Sequence, residues 1–129
     1  MLLTNGRKTL VIKDEVEFTD ADSAFTTDHF ENKKITAEVL DGGKRCVLTH
    51  ESGDKIYVTV LGDGTLELMD CQGLLSGTGP ATGEYSRDDF SRLVIRHSNV
   101  KKINTAFVID VCDECGVKEN LDIKMWKTL

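Results

Sequence analysis

The fold class follows from the stretch Arg7-Lys-Thr-Leu-Val-Ile-Lys-Asp-Glu-Val-Glu-Phe18, in which apolar side chains recur at every second position. One face of this extended segment carries Leu10, Ile12, Val16 and Phe18, which is the period of a strand with one buried side. Asp14 interrupts that face. Because burying a carboxylate without partners is costly, we expect Asp14 to be hydrogen-bonded or to lie at a sheet edge.

The same alternation recurs along the chain with turn signals between the segments. The segments typical of strands are 24–30, 35–39, 45–50, 56–60, 66–68, 92–97, 103–111 and, more weakly, 121–126. A polar turn is expected at 20–23, and glycines predict hairpin turns at 41–43 and 62–64. No window shows a sustained helical period. We therefore predict an all-β fold, an antiparallel β-sandwich of about eight to nine strands with little or no helix.

The alternating pattern also predicts which side chains are inside. The expected core consists of Leu10, Ile12, Ile35, Val39, Leu48, Ile56, Val58, Val60, Leu66, Leu68, Leu93, Ile95, Phe107 and Ile109. Other apolar residues fall on the opposite faces or precede the first strand, and these are Met1, Leu2, Leu3, Val11, Val47, Met69 and Val94. We expect this second group to form an exposed docking patch, with scattered surface valines as the alternative.

Composition restricts the classes of function. The 129 residues predict a single domain over 1–129, with 40% hydrophobic and 29% charged residues. A formal charge of −6 is unfavourable for binding a phosphate backbone, so no nucleic-acid partner is expected. No apolar run reaches the roughly 18 residues of a membrane span. No signal-peptide pattern is visible at the N-terminus, which leaves the compartment open.

Six segments, taken in order, resemble the C-terminal β-domain of heparinase II/III-like polysaccharide lyases. They are Thr9-Leu-Val-Ile-Lys-Asp-Glu-Val16, Phe25-Thr-Thr-Asp-His-Phe30, Ala37-Glu-Val-Leu-Asp-Gly-Gly-Lys-Arg-Cys-Val-Leu48, Asp54-Lys-Ile-Tyr-Val-Thr-Val-Leu61, Ser91-Arg-Leu-Val-Ile-Arg-His97 and Asn104-Thr-Ala-Phe-Val-Ile-Asp-Val111. The likeness covers about residues 7–111 and lies in the residue pattern of the strand segments rather than in an invariant motif.

The resemblance implies a role and a partner. Lyases of this kind place an α/α toroid before their β-sheets and use a Tyr and His pair for β-elimination on uronate-containing polysaccharide. No residue of this chain aligns with that pair, so the resemblance implies a non-catalytic accessory domain whose partner is the toroid of a parent lyase. A stand-alone carbohydrate-binding module, with polysaccharide as partner, and an immunoglobulin-like interaction or spacer domain are the alternatives.

Cys112-Asp-Glu-Cys115 has the spacing of a metal-binding or redox pair. A tetrahedral zinc site would need two further ligands, for which Cys46 and Cys71 are the candidates. A redox pair usually lies at a helix N-terminus, whereas this pair follows a strand. The favoured interpretation is ordinary thiols in a turn or a local disulfide, so no metal site is predicted. No phosphate loop, GxSxG, HExxH or EF-hand pattern occurs, and no cofactor is predicted.

Three aromatic residues with polar groups, Tyr57, Tyr85 and Trp126, are the candidates for carbohydrate contact. Sugars stack on such rings, but aromatic residues make up only 6% of the chain. The alternative is that each ring packs against a neighbouring domain or sheet. The three histidines, His29, His50 and His97, are predicted in strands without a partner at close spacing, so no catalytic residue is assigned. The loop over 71–91 is either a simple connection or a partner-contacting loop.

Overall fold

The computed structural model describes residues 1–4, 6, 8–31, 34–70 and 90–117. These form one sheet of seven strands, all paired in antiparallel fashion. The strands are β1 Leu2–Thr4, β2 Thr9–Glu31, β3 Ile35–Leu40, β4 Arg45–His50, β5 Lys55–Gly62, β6 Thr65–Asp70 and β7 Phe90–Asp110. The predicted all-β antiparallel class is confirmed, and the seven strands of the described residues belong to one sheet. The segment 121–126 lies outside the described residues.

Helix is scarce in this part of the chain. A 3-10 turn over Asp41–Gly43 joins β3 to β4, and the described residues contain no α-helix. No helix in the ranges above is long and apolar enough to cross a membrane.

The two longest strands, β2 and β7, pair with each other along almost their whole length. Their register runs from Thr9 opposite Asp110 to Glu31 opposite Phe90. It shifts between Glu17 and Ala24, in two steps. The turn predicted at 20–23 is therefore wrong, because extra residues there are absorbed as a bulge that bends the strand without reversing it. The two strands predicted at 92–97 and 103–111 are likewise the two halves of β7.

The step between β5 and β6 bends the sheet. β5 pairs with residues 105–110 of β7, and β6 pairs with residues 91–96 of the same strand. Both run antiparallel to β7, so the chain does not reverse between them, and the hairpin predicted at 62–64 is wrong. Gly62 and Gly64, with φ of 84° and 86°, adopt backbone conformations that favour glycine and allow the sharp bend. The hairpin predicted at 41–43 is confirmed by the pairing of β3 with β4.

The bend folds both halves of the sheet around one core. Its buried members are Cys46, Val58, Val60, Leu66, Leu93, Ile95 and Phe107. β6 lies against β3 and against the 3-10 turn, although neither pairs with it. Further predicted core residues pack against this cluster while partly buried, namely Ile12, Val39, Leu48 and Ile109. Leu10 and Ile35 are half-buried.

Two predicted core residues are exposed instead. Ile56 and Leu68 are each 43% exposed. Both face the core side of their strands, because each lies two residues from a buried neighbour, Val58 or Leu66. The prediction that both are buried is wrong, because they lie toward the strand ends remote from the bend, beyond the buried cluster. Strand alternation specifies a face and does not show how far along that face the core extends.

The opposite face of β2, β5 and β7 is also covered. A second cluster contains Val11, Ala106, Val108 and Val117, with Leu61 and Cys115 packed against it. Residues 111–117, called the strap, follow β7 and return over the face that carries this second cluster. That face is called the strap face. The expected docking patch is therefore wrong for Val11 and Val94, which are both 0% exposed, while Val47 and Met69 are half-buried.

Asp14 lies where the sequence requires. It is half-buried and opposite Thr105 of β7. On its other side, β1 pairs only with residues 9–11 of β2, so within the described part of the chain Asp14 is on an edge. The expectation that this carboxylate lies at a sheet edge is confirmed.

Candidate functional site

The bend carries a polar depression of about 600 Å³. This cavity is called the bend depression. The residues that line it are Lys44, Asp63, Gly64, Thr65, Glu67, Arg96, His97, Ser98, Val100 and Lys102. These residues come from the turn before β4, the bend itself, β6 and the middle of β7. The sheet therefore brings together side chains that are far apart in sequence.

Backbone and side-chain hydrogen bonds hold the bend in place. The Lys44 ammonium donates to the carbonyl of Gly62 at 2.9 Å and to that of Gly64 at 2.6 Å. Asp63 is bound to β7 at two residues. Its carboxylate accepts the Asn104 N–H at 3.0 Å, and its carbonyl accepts the Thr105 hydroxyl at 2.8 Å.

His97 forms the inner wall of the bend depression. It is 4% exposed, and its Nδ1 is buried without a hydrogen-bond partner. Its ring lies directly against Gly64, since a Cβ built on that glycine would be 2.6 Å from His97 Cε1. Burial lowers the pKa of His97, Asp63 and Asp14 raise it, and the nearby Lys44 lowers it. The imidazole is therefore neutral at physiological pH.

The outer rim of the depression carries charges of both signs. Arg96 Nε donates to a carboxylate oxygen of Glu67 at 3.0 Å, with both side chains partly exposed. Lys102 lies 3.4 Å from the carboxylate of Glu17. Such a surface offers donors, acceptors and hydroxyls to a polar ligand. Within the described ranges no group of three or more His, Cys, Asp or Glu side chains is arranged to hold a metal ion.

The strap is fixed by a buried carboxylate and an exposed ion pair. Asp110, 2% exposed, accepts the Thr9 hydroxyl and the N–H of Gly116 at 3.1 Å. Arg45 binds the carboxylate of Asp113 at 2.7 Å and its carbonyl at 2.9 Å. These contacts hold the strap against β2, β4 and β7.

The CxxC pair lies in this strap. Cys112 is exposed and Cys115 half-buried, and both are free thiols. The Cys115 thiol donates to the carbonyl of Val117 at 2.8 Å. Cys46 is in the main core, where burial raises the pKa of its thiol, whereas Cys115 packs on the opposite face of the sheet. The fold therefore separates Cys46 from the CxxC pair, and Cys71 lies outside the described residues.

Of the aromatic candidates for sugar contact, Tyr57 alone lies in the described ranges. It is half-buried, on the strap face of β5, opposite Val47 and Asp110. It does not line the bend depression. Tyr85 and Trp126 lie outside the described residues, so the expected contact by these two rings stays a prediction.

The histidines are not brought together. His50 is at the end of β4, where its Nδ1 accepts the N–H of Ser52 at 3.2 Å and lies 2.8 Å from the Ser52 hydroxyl. His29 is opposite Arg92 in β2. His97 is opposite Ala24, farther along the same pair of strands.

Sequence reasoning missed the burial of several polar side chains, namely Thr9, His97, Thr105 and Asp110 and the side chain of Lys13. The strand pattern places Lys13 on a polar face, yet its side chain is 2% exposed and 3.7 Å from the carboxylate of Glu15. Its ammonium also donates to the amide oxygen of Asn104. His97 alternates with Leu93 and Ile95, which was a usable signal that it continues the core face.

Comparison with known proteins adds no relative. No family model, no curated protein and no solved structure matches this chain.

Proposed function

We propose that this chain is a non-catalytic accessory β-domain of a heparinase II/III-like polysaccharide lyase, and that it docks onto the toroid of such an enzyme. The proposal rests on the resemblance of six strand segments to the C-terminal β-domain of those lyases. The antiparallel all-β fold is compatible with it. The finer architecture, an antiparallel sandwich of about eight to nine strands, is part of the same proposal.

A single observation supports docking, namely an apolar set that the core leaves uncovered. Leu3 is 59% and Val111 57% exposed, and Ile56 and Leu68 are each 43% exposed. Leu3 pairs with Leu10, and Leu10 pairs with Ile109, which is on the core side of the sheet. Ile56 is opposite Leu48 and Leu68 is opposite Leu93, and both partners belong to the core side. Val111 directly follows the end of β7. These four residues lie toward the strand ends remote from the bend and are called the mouth.

Exposed apolar side chains grouped in this way favour a protein partner over a polysaccharide. A toroid that covers the mouth would extend the core beyond its present end. The partner surface would accordingly be apolar, with little demand for charge complementarity.

Capture by a separately expressed α/α toroid of a heparinase II/III-like lyase tests the docking. Wild-type chain should co-purify with the toroid, and the double variant Ile56→Glu, Leu68→Glu should lose that association because charges in the mouth would be desolvated. Thr36→Glu, at an exposed polar position, is the matched control and should bind like wild type. Equal capture of all three proteins, or of none, would contradict the docking proposal.

An activity measurement tests the non-catalytic part. The isolated chain, incubated with uronate-containing polysaccharides, should form no unsaturated product absorbing in the ultraviolet. Elimination needs a base, an acid and electrostatic support together, and no Tyr and His pair aligns here. Turnover that disappears in His29→Gln or Tyr57→Phe would instead make this domain part of an active site.

A carbohydrate-binding module is the second candidate, and the bend depression favours it. The hydroxyls of Thr65 and Ser98 and the charged groups of Glu67 and Arg96 line one polar concavity, which suits a ligand rich in hydroxyls. Binding of polysaccharide by the isolated chain, weakened by Arg96→Ala and retained by Thr36→Glu, would favour this candidate over docking.

A further inference from the structure

Four charged or titratable groups from separate elements surround the bend. His97 comes from β7, Lys44 from the turn before β4, Asp63 from the bend, and Asp14 from β2, and the last three influence His97 electrostatically. We propose that protonation of His97 opens the bend between β5 and β6, so that acid releases one half of the sheet from the other. This acid-operated release does not depend on any docking partner.

Protonation adds a second N–H to the imidazole ring of His97. A neutral imidazole carries one N–H, and the unpartnered, buried Nδ1 is the position that suits the lone pair. Protonation places a donor at Nδ1, an atom that is shielded from bulk solvent and has no acceptor among the described residues. An unpaired buried donor is costly, and a charged one more so.

The space around the His97 ring restricts where the ring can move. The ring has little room on the side of Gly64, because a Cβ built on that glycine would be 2.6 Å from Cε1 and 3.0 Å from Nε2. To reach solvent the imidazolium must move away from Gly64, outward into the bend depression. That movement removes the packing of the ring against Gly64, which is one of the contacts that join β7 to the bend.

The charges around His97 also favour the open bend once the ring is protonated. Lys44 repels an imidazolium and is itself bound to the carbonyls on both sides of Asp63, so it cannot withdraw while the bend is closed. Asp63 and Asp14 attract the imidazolium, but the Asp63 carboxylate accepts the N–H of Asn104. Opening frees Asp63 to pair with His97. Acid therefore favours the open bend.

The sign of the pH dependence follows from linkage. The open form has the ordinary histidine pKa of about 6.5, and burial gives the closed form a lower pKa. Below about pH 6.5 the open form takes up the proton first, so the opening constant rises by up to about tenfold per pH unit until the pKa of the closed form is reached. Above about pH 6.5 the opening constant does not depend on His97.

Amide hydrogen exchange, corrected for intrinsic rates, tests the release at about pH 7.5 and about pH 5. Two bend amides report opening, Val60 bound to the Lys44 carbonyl and Asp63 bound to the Asn104 carbonyl. Val111, bound to the Lys8 carbonyl at the remote end, is the internal control. In wild type, acid should lower protection at the bend at least severalfold more than at Val111.

Variants make the test specific to one ring. His97→Gln should abolish the excess loss of protection at the bend, and His50→Gln, at the end of β4, should retain it. An equal loss at all three amides in wild type would indicate global unfolding and overturn the local release. Persistence of the excess loss in His97→Gln would overturn the role of His97. If that variant does not fold, the wild-type comparison of bend and remote amides, with titration of the His97 ring by NMR, decides the question.

Discussion

Gly64 shows how one residue without a side chain fixes the bend. Its φ is +86°, and a Cβ there would be 2.7 Å from Ile95 Cγ2 as well as close to the His97 ring. Gly53, in the turn between β4 and β5, has a similar φ of +92° with no atom within 4 Å of its Cβ position. The two glycines therefore share a backbone requirement and differ in steric contact alone.

We expect Gly64→Ala to destabilise the protein more than Gly53→Ala. Both variants incur the cost of a left-handed residue, roughly 1–2 kcal/mol. Gly64→Ala adds the cost of overpacking against His97 and Ile95, typically about 1–3 kcal/mol. Chemical denaturation of the two variants measures the difference in free energy of unfolding. Equal losses would show that the His97 ring yields freely, contrary to the tight wall described above.

The burial of an individual residue could be predicted from the sequence where its environment is set by its own strand. Val58, Val60 and Phe107 were predicted in the core from alternation and are buried. Lys13 was not recognised as buried, because the burial of its side chain depends on segments that approach from elsewhere in the chain. The spacing of side chains within a strand carries no information about what covers its second face.

The strap is the element whose anchoring depends most on one buried group. Asp110→Asn should loosen it, because a neutral amide replaces the carboxylate that accepts both Thr9 and Gly116, and hydrogen bonds to a neutral acceptor are weaker than those to an ionised one. We expect a loss of about 1–3 kcal/mol in the free energy of unfolding and faster modification of the half-buried Cys115 thiol. Denaturation and thiol-labelling rates measure both effects.

Asp113→Asn is the matched control for the strap. It removes the charge that pairs with Arg45, but the Asp113 side chain is 77% exposed and the bond from Arg45 to the Asp113 carbonyl remains. Exposed pairs of this kind contribute about 0–1 kcal/mol. A larger loss in Asp113→Asn than in Asp110→Asn would mean that the surface pair, and not the buried carboxylate, holds the strap.

Element types could be predicted from the sequence, whereas the connection at 62–64 could not. Gly62-Asp63-Gly64 and Asp41-Gly42-Gly43 read alike as glycine turns, yet the first bends the chain along one partner strand and the second makes a hairpin. The difference arises because β7 is long enough to pair with β5 and β6 in succession. Which strand accepts a partner is decided by contacts between distant segments, and local turn chemistry cannot report it.

For the whole molecule, the decisive feature is that both halves of the bent sheet share one core. Val58 of β5 and Leu66 of β6 belong to the same buried cluster, so loss of that cluster affects both halves. The candidate site has the same origin, since the bend depression exists only because β6 and the middle of β7 meet the turn before β4. No local stretch of sequence contains it, which is why sequence reasoning placed the candidate residues elsewhere.

Two substitutions in one strand test whether this core controls the stability of the whole domain. Val58→Asp removes a side chain that is 1% exposed, losing about 1.5–3 kcal/mol of apolar burial and leaving an unpaired carboxylate that costs several kcal/mol more. Since small domains are stable by only about 5–15 kcal/mol, we expect this variant to be largely unfolded. Ile56→Asp, two residues earlier on the same face but 43% exposed, should cost about 1–2 kcal/mol and remain folded. Far-ultraviolet circular dichroism and denaturant titration distinguish the outcomes, and equal effects of the two variants would show that the core extends to the mouth, which would remove the physical basis for docking there.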